Sequence, residues 1–122
     1  MNTLLLVDDG LENLHCLGEI LDAFGYKVIA KPNAKSALSV IRDGTDVDLV
    51  ITDYRMPGMD GLEFLNLLKD ILPDVPVIML TAYGNVETYL KSRSLGVYEY
   101  VNKPVTAIEL GRIVKAALAA SL

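Results

Sequence analysis

Leu49-Val50-Ile51-Thr52-Asp53-Tyr54-Arg55-Met56-Pro57-Gly58-Met59-Asp60-Gly61 is an apolar run that stops on a carboxylate, turns through Pro and two Gly, and opens a helix. Leu49 to Ile51 has the length and β-branching of a strand buried on both faces. Asp53 then stands where that strand leaves the core. In open α/β sheets, ligands bind beyond this end of the strands. A carboxylate there is either a strand-end cap or a chemical group. The other strand ends decide between the two.

Toward the N-terminus, Leu4 to Val7 is a second buried run, and it ends on Asp8-Asp9. Leu11, Leu14, Leu17, Leu21 and Phe24 share one helical face after it. Asp9 and Glu12 have capping-box spacing, and Gly25 suits the stop. Val28 to Ala30 is a short strand. Asn33 caps a helix carrying Ala37, Leu38 and Ile41, closed near Gly44.

Toward the C-terminus, Asp60 and Glu63 again have capping-box spacing. Leu62, Leu65, Leu68 and Leu72 line the helix, and Pro73 and Pro76 bracket its exit. Val77 to Leu80 is a strand ending on Thr81. Asn85 opens a fourth helix that closes before Gly96. Its apolar stripe is thin, Val86, Tyr89 and Leu90, so it is expected to be loosely held. Val97 to Val101 is a fifth strand with Tyr98 and Tyr100 on one face, and Glu99 marks it as an edge. Asn102-Lys103-Pro104 ends it. Thr106 and Glu109 have capping spacing before a helix lined by Leu110, Ile113, Val114, Ala117 and Leu118.

Five strands alternating with five helices predict an α/β fold, a doubly wound five-stranded parallel sheet with right-handed crossovers. The expected strand order is 2-1-3-4-5, with strands one and three adjacent at the switch point. The chain has 122 residues, read as a single domain over 1–122 with no output domain. Its net charge of −5 argues against direct nucleic-acid binding. One cysteine, Cys16, permits no internal disulfide, and a reducing cytoplasmic setting is expected. No apolar run approaches a membrane span, and Met1-Asn2-Thr3 leaves no room for a signal peptide.

The polar residues now fall on one rim: Asp8 and Asp9 after strand one, Asp53 after strand three, Thr81 after strand four, Lys103 after strand five. Three packed carboxylates repel one another, and a hard divalent cation relieves that. An all-oxygen site without Cys or His selects Mg²⁺, or Mn²⁺, over zinc. A Lys and a hydroxyl facing such a site suit a phosphoryl group. Carboxylates act as nucleophiles and form acyl phosphates, and Asp53 is the most central.

Four pieces carry a resemblance: Val7-Asp8-Asp9, Asp53 through Gly61, Leu80-Thr81-Ala82 and Tyr100-Val101-Asn102-Lys103-Pro104. In that order, each at a strand end, they resemble the receiver domain of bacterial two-component response regulators over essentially the whole chain. The resemblance implies a flavodoxin-like fold and a phosphorylation-dependent switch rather than a turnover enzyme. It implies that Asp53 is the phosphoacceptor, and that Asp9 ligates Mg²⁺ directly while Asp8 acts through metal-bound water. The Arg55 backbone carbonyl would complete the protein's share of the shell. Thr81 and Lys103 would bind phosphoryl oxygens, Tyr100 would be the aromatic switch, turning inward when Thr81 moves toward the phosphate, and Lys103-Pro104 would be cis. The implied phosphoryl donor is a sensor histidine kinase or a phosphotransfer protein. The implied output is a changed helix 4–strand 5–helix 5 surface, suited to a homodimer or to a DNA-binding or other output domain. The Leu80-Thr81-Ala82-Tyr83-Gly84 run is similar to receivers of enhancer-binding transcription activators; a stand-alone receiver is the other form.

Gly10 departs from the family, many members of which carry a third acid there. Arg55 and Tyr83 border the site and are expected to shield a phosphoryl group from water. Asp60 reads as a cap, His15 as a solvated surface residue, Cys16 as a small buried apolar group, and Tyr98 as edge packing. A haloacid-dehalogenase type of enzyme would want a second Asp where Arg55 stands. A nucleotide or flavin binder would want a Gly-rich loop where Asp8-Asp9 stand. A degenerate receiver that only docks would not need every key position intact.

Overall fold

The strands with nothing polar to offer water take the middle of the sheet. The computed structural model describes residues 1–121. β1 (Thr3–Val7), β3 (Leu49–Thr52) and β4 (Val77–Thr81) are buried almost throughout, whereas β2 (Lys27–Lys31) and β5 (Glu99–Asn102) mix exposed and half-buried residues. All pairings are parallel, and the order is β2-β1-β3-β4-β5, as expected. Val7 pairs with Thr52 and Thr81 with Asn102, so β1 ends level with β3 and β4 level with β5, while β4 runs two residues past the partner of Thr52 at the same rim.

Alternation along the strands splits the core into two layers. Leu5, Val7, Val50, Val77 and Met79 face α2 (Ala34–Arg42) and α3 (Gly61–Ile71), where Ala37, Leu38, Phe64, Leu65 and Leu68 meet them. Leu4, Leu6, Leu49, Ile51, Ile78 and Leu80 face α1 (Leu11–Ala23) and α5 (Ala107–Ala120). α4 (Val86–Ser94) adds no buried apolar residue to either layer. No described helix is long and apolar enough to cross a membrane.

The caps at Asn33, Asp60 and Asn85 form as expected, and Asp60 with Glu63 makes a full capping box. Thr106 accepts from the Glu109 N–H, but the Glu109 carboxylate meets the Thr106 hydroxyl rather than its backbone, so only half of that box is present.

Several expectations are corrected. α1 starts from Gly10 with no side-chain cap, so the Asp9/Glu12 box does not form. Only Leu14, Leu17 and Leu21 are buried there, while Leu11 and Phe24, at the two ends of the helix, are exposed. Cys16 is exposed rather than buried, because it lies about 130° round the helix from that stripe. In α3, Phe64 is fully buried and Leu62 and Leu72 only partly so. Val86, Tyr89 and Leu90 of α4 point outward, and Thr88 and Ser92 point inward instead. Ser92 can do so because its hydroxyl donates to the Tyr89 carbonyl within the helix. Tyr98 and Tyr100 fall on opposite sides, Tyr98 with the α1/α5 layer and Tyr100 with the other. Tyr98 precedes the ladder, which starts at Glu99, so strand alternation does not govern it.

Candidate functional site

Three carboxylates meet at the rim because β1 and β3 are neighbours and end in register. Asp8 and Asp9 follow β1, and Asp53 follows β3. One oxygen from each lies within 4.8 Å of the others. Asp8 and Asp53 are buried, while Asp9 is open to solvent. Backbone bonds fix the floor: the Asp53 N–H donates to the Val7 carbonyl at 3.0 Å and the Asp8 N–H to Lys31 at 3.2 Å.

Lys103 reaches across from the end of β5. Its Nζ lies 2.7 Å from Asp8 Oδ2 and 3.1 Å from Asp53 Oδ2. Burial pushes the Lys103 ammonium down, but hydrogen bonds and charge from Asp8 and Asp53 outweigh this and leave its pKa raised above the ordinary lysine value. The ammonium is therefore charged throughout the neutral range. The Lys103-Pro104 peptide is cis, as the resemblance implied.

Asp8 and Asp53 have further donors. Asp8 accepts from the Gly10 N–H at 2.9 Å and from Asn13 Nδ2 at 2.7 Å, and Asp53 Oδ1 accepts from the Tyr54 N–H at 2.7 Å. Sequence reasoning missed Asn13; an amide facing back over Asp8 from the first turn of α1 was the available signal. A Cβ at Gly10 would lie 3.3 Å from Asp8 Oδ1, so a larger residue there would crowd this carboxylate.

Thr81 is fully buried at the end of β4. Its hydroxyl accepts from the Tyr83 N–H at 3.0 Å, and its carbonyl accepts from the Lys103 N–H at 2.9 Å. It thus ties the β4–α4 loop to the β5–α5 loop. Its hydroxyl bonds the loop and not the carboxylates. The Arg55 guanidinium lies over the Tyr83 ring at 4.6 Å, joining the β3–α3 and β4–α4 loops beside an open cleft of about 520 Å³ that Asp9, Tyr54 and Asp60 also line. Tyr100 stacks edge-on to Tyr89 with centroids 5.6 Å apart, on the α4 side of the rim. His15 is exposed and pairs with Glu19 on its own helix, away from the acids.

The residues present suit a hard divalent cation: three carboxylate oxygens converge, two of them already oriented by N–H donors, with no thiolate or imidazole. With a lysine ammonium at the same carboxylates, the arrangement can hold a dianionic oxyanion group against Asp53.

The family described as Response regulator receiver domain matches residues 4–115. Among curated relatives, the transcriptional regulatory protein ZraR of Klebsiella oxytoca is 35% identical over 95% of this chain and 26% of that protein. GlrR of Escherichia coli is 38% identical over 84% of this chain and 23% of its own length. The chain thus spans about a quarter of these relatives. Among solved structures, a CheY-like receiver domain protein from Methanospirillum hungatei superimposes with a TM-score of 0.95 at 29% identity, over 99% of this chain and 96% of that one. The response regulator TrrA from Thermotoga maritima, solved in complex with Mg²⁺-BeF, gives 0.86 at 35% identity, over 96% and 99%.

Proposed function

The chain belongs to the response regulator receiver domain family, and from that premise we propose that it is a metal-dependent phosphoryl switch with Asp53 as acceptor. The observation that carries the reading is the lysine bridge, one ammonium shared by Asp8 and Asp53, with Asp9 at the same point. Asp8 and Asp9 would hold Mg²⁺ with Asp53 and the Arg55 carbonyl. The bound cation would neutralise phosphoryl oxygens and the carboxylates' mutual repulsion.

A carboxylate oxygen of Asp53 attacks phosphorus, forming an O–P bond as the donor's P–N bond breaks. The electron pair leaves on the donor imidazole, and an acyl phosphate remains. Lys103 stays protonated and pairs with a phosphoryl oxygen. Thr81 exchanges its bond from the Tyr83 N–H for one donated to the phosphoryl group, and the β4–α4 loop follows. Tyr100 and the weakly anchored α4 then present a different α4–β5–α5 surface, for a second copy or an output domain. The donor is the phosphohistidine of a sensor kinase or a phosphotransfer protein. The chain turns over no free substrate, and the setting is the cytoplasm.

Intact-mass measurement after incubation with acetyl phosphate and Mg²⁺ tests this. One added phosphoryl group, absent with EDTA, is the expected result. No adduct, together with no binding of Mg²⁺-beryllofluoride, would leave a docking module that is never phosphorylated.

Lys103→Met takes a cation away from a cation site, so Mg²⁺ affinity rises about tenfold, the scale of one charge a few ångströms off in a partly buried site. Titration of the chain with Mg²⁺ measures it. Arg55→Ala and Tyr83→Ala each break the stack beside the site. An exposed cation–π pair is worth about 0.5–1 kcal/mol, so the acyl-phosphate lifetime shortens roughly two- to five-fold in each. Unchanged lifetimes in both would rule out shielding.

A further inference from the structure

Tyr100 occupies its place at a cost. Its hydroxyl is buried and makes no hydrogen bond of regular geometry among the described residues, although the Asn85 backbone lies close enough to bond it weakly. A phenol shut away from water with so poor a partner is unfavourable. The same burial pushes its pKa up; the weak hydrogen bond with the Asn85 backbone only partly offsets this, and Tyr54 adds to it. What holds the ring is the edge-on contact with Tyr89 and the space beneath the β4–α4 loop.

That space exists because residue 84 has no side chain. A Cβ on Gly84 would stand 2.6 Å from the Tyr100 hydroxyl oxygen and 3.2 Å from Cε1, and would also collide with Asn102 Oδ1. Turn geometry does not demand the glycine. Gly25, Gly44, Gly58 and Gly96 have positive φ, and Gly84 does not. Its φ is not left-handed, and the demand that shows is one of packing. The atoms in the way are side-chain ends, so a methyl group there displaces Tyr100 and Asn102 before it displaces the loop.

We propose that Gly84 is the aperture that admits Tyr100 to its inward position, and that residue 84 sets the balance between inward and outward ring. The packing claim stands alone; its consequence for signalling rests on the switch reading above. Any side chain at 84 holds Tyr100 outward, breaks the Tyr89 stack and leaves α4 without its link to β5. The atoms nearest a Cβ at 84 belong to Tyr100 and Asn102, not to the carboxylates or Lys103, so Asp53 chemistry persists. Gly84 is a positioning residue that acts through Tyr100.

The test uses the full chain carrying 3-fluorotyrosine, read by ¹⁹F NMR, with the Tyr100 resonance assigned by its loss in Tyr100→Phe. The wild type and Gly84→Ala are compared with and without Mg²⁺-beryllofluoride. In Gly84→Ala the Tyr100 resonance is expected to move and to acquire the solvent isotope shift of an exposed ring in both conditions. Phosphoryl gain at Asp53 by intact mass stays within about twofold of wild type, on the scale of about 0.4 kcal/mol. A folded Gly84→Ala whose Tyr100 resonance does not move overturns the proposal. Tyr100→Phe gives an answer that does not depend on Gly84→Ala folding. A hydroxyl this poorly paired can be removed with little loss, so Tm is little changed or raised. A fall of several degrees means that a hydrogen bond of the hydroxyl, and not the space at residue 84, holds the ring inward, and overturns the proposal. If the wild-type ring ignores beryllofluoride while Gly84→Ala displaces it, the aperture stands and the switch role of Tyr100 falls. If beryllofluoride moves the wild-type ring and Gly84→Ala does not, the aperture falls and the switch role stands.

Discussion

Asp53→Asn gains no phosphoryl group from acetyl phosphate and Mg²⁺ under conditions where the wild-type chain gains one. An amide carries no negative charge and its carbonyl oxygen is too weak a nucleophile to attack phosphorus, so the loss expected is total within detection. The substitution keeps shape and the Tyr54 N–H bond to the retained carbonyl oxygen, so the fold survives. It also removes one of three converging negative charges, which weakens Mg²⁺ binding. Intact mass and Mg²⁺ titration on the same preparation separate the two effects. If saturating Mg²⁺ restored the adduct in Asp53→Asn, the acceptor would be another residue and the assignment would fail. Thr81→Ala is a useful contrast: it deletes a hydroxyl that bonds a loop N–H, leaves the carboxylates and Lys103 in place, and so still takes a phosphoryl group.

Gly61→Ala is expected to be the most damaging single methyl addition in the chain. Gly61 opens α3 directly beneath the loop that carries Asp53. Its N–H donates to the Tyr54 carbonyl at 2.7 Å. A Cβ there would collide with the Asp53 carbonyl oxygen and stand 2.8 Å from Tyr54 Cα. These are backbone atoms and cannot swing aside, so either α3 or the Asp53 loop must move. Overpacking against backbone costs about 3 kcal/mol or more, a fall of roughly 10 °C in Tm for a domain of this size. Gly58→Ala separates crowding from conformation. Gly58 has φ 79° and nothing near its would-be Cβ, so its cost is only the left-handed backbone, about 1 kcal/mol. Thermal melts of both variants give the comparison. Equal losses would mean that the close approach at Gly61 relaxes freely.

The fold was legible because burial is uneven among the strands. Leu4 to Val7, Leu49 to Ile51 and Val77 to Leu80 offer no residue to solvent, and only the middle of a helix-covered sheet accepts that. The short Val28 to Ala30 run and Glu99 mark the edges. The site was legible because the acids and Lys103 all sit one or two residues past an apolar run, where a parallel sheet delivers them to one rim. What was hidden depended on rotation and depth. Val86 and Leu90 have the spacing of a buried stripe, yet the structure turns Thr88 and Ser92 inward, since Ser92 satisfies its own hydroxyl within the helix. Tyr98 is two residues from Tyr100, but the strand begins between them. Asn13 and Gly84 act through contacts that no periodicity marks, one over Asp8 and the other under Tyr100.

The inverted face of α4 separates two selective pressures that most helices must reconcile. Val86 and Leu90 are 73% and 58% exposed, and no part of the hydrophobic core leans on them. Exposed substitutions of this kind change stability by about 0.5 kcal/mol or less. Lineages can therefore drift at these positions, or be selected at them for a new partner, without first gaining stability elsewhere. The residues that keep the domain folded and those that α4 turns to solvent form nearly separate sets, so the outer face of the helix can be rewritten while the scaffold stays the same.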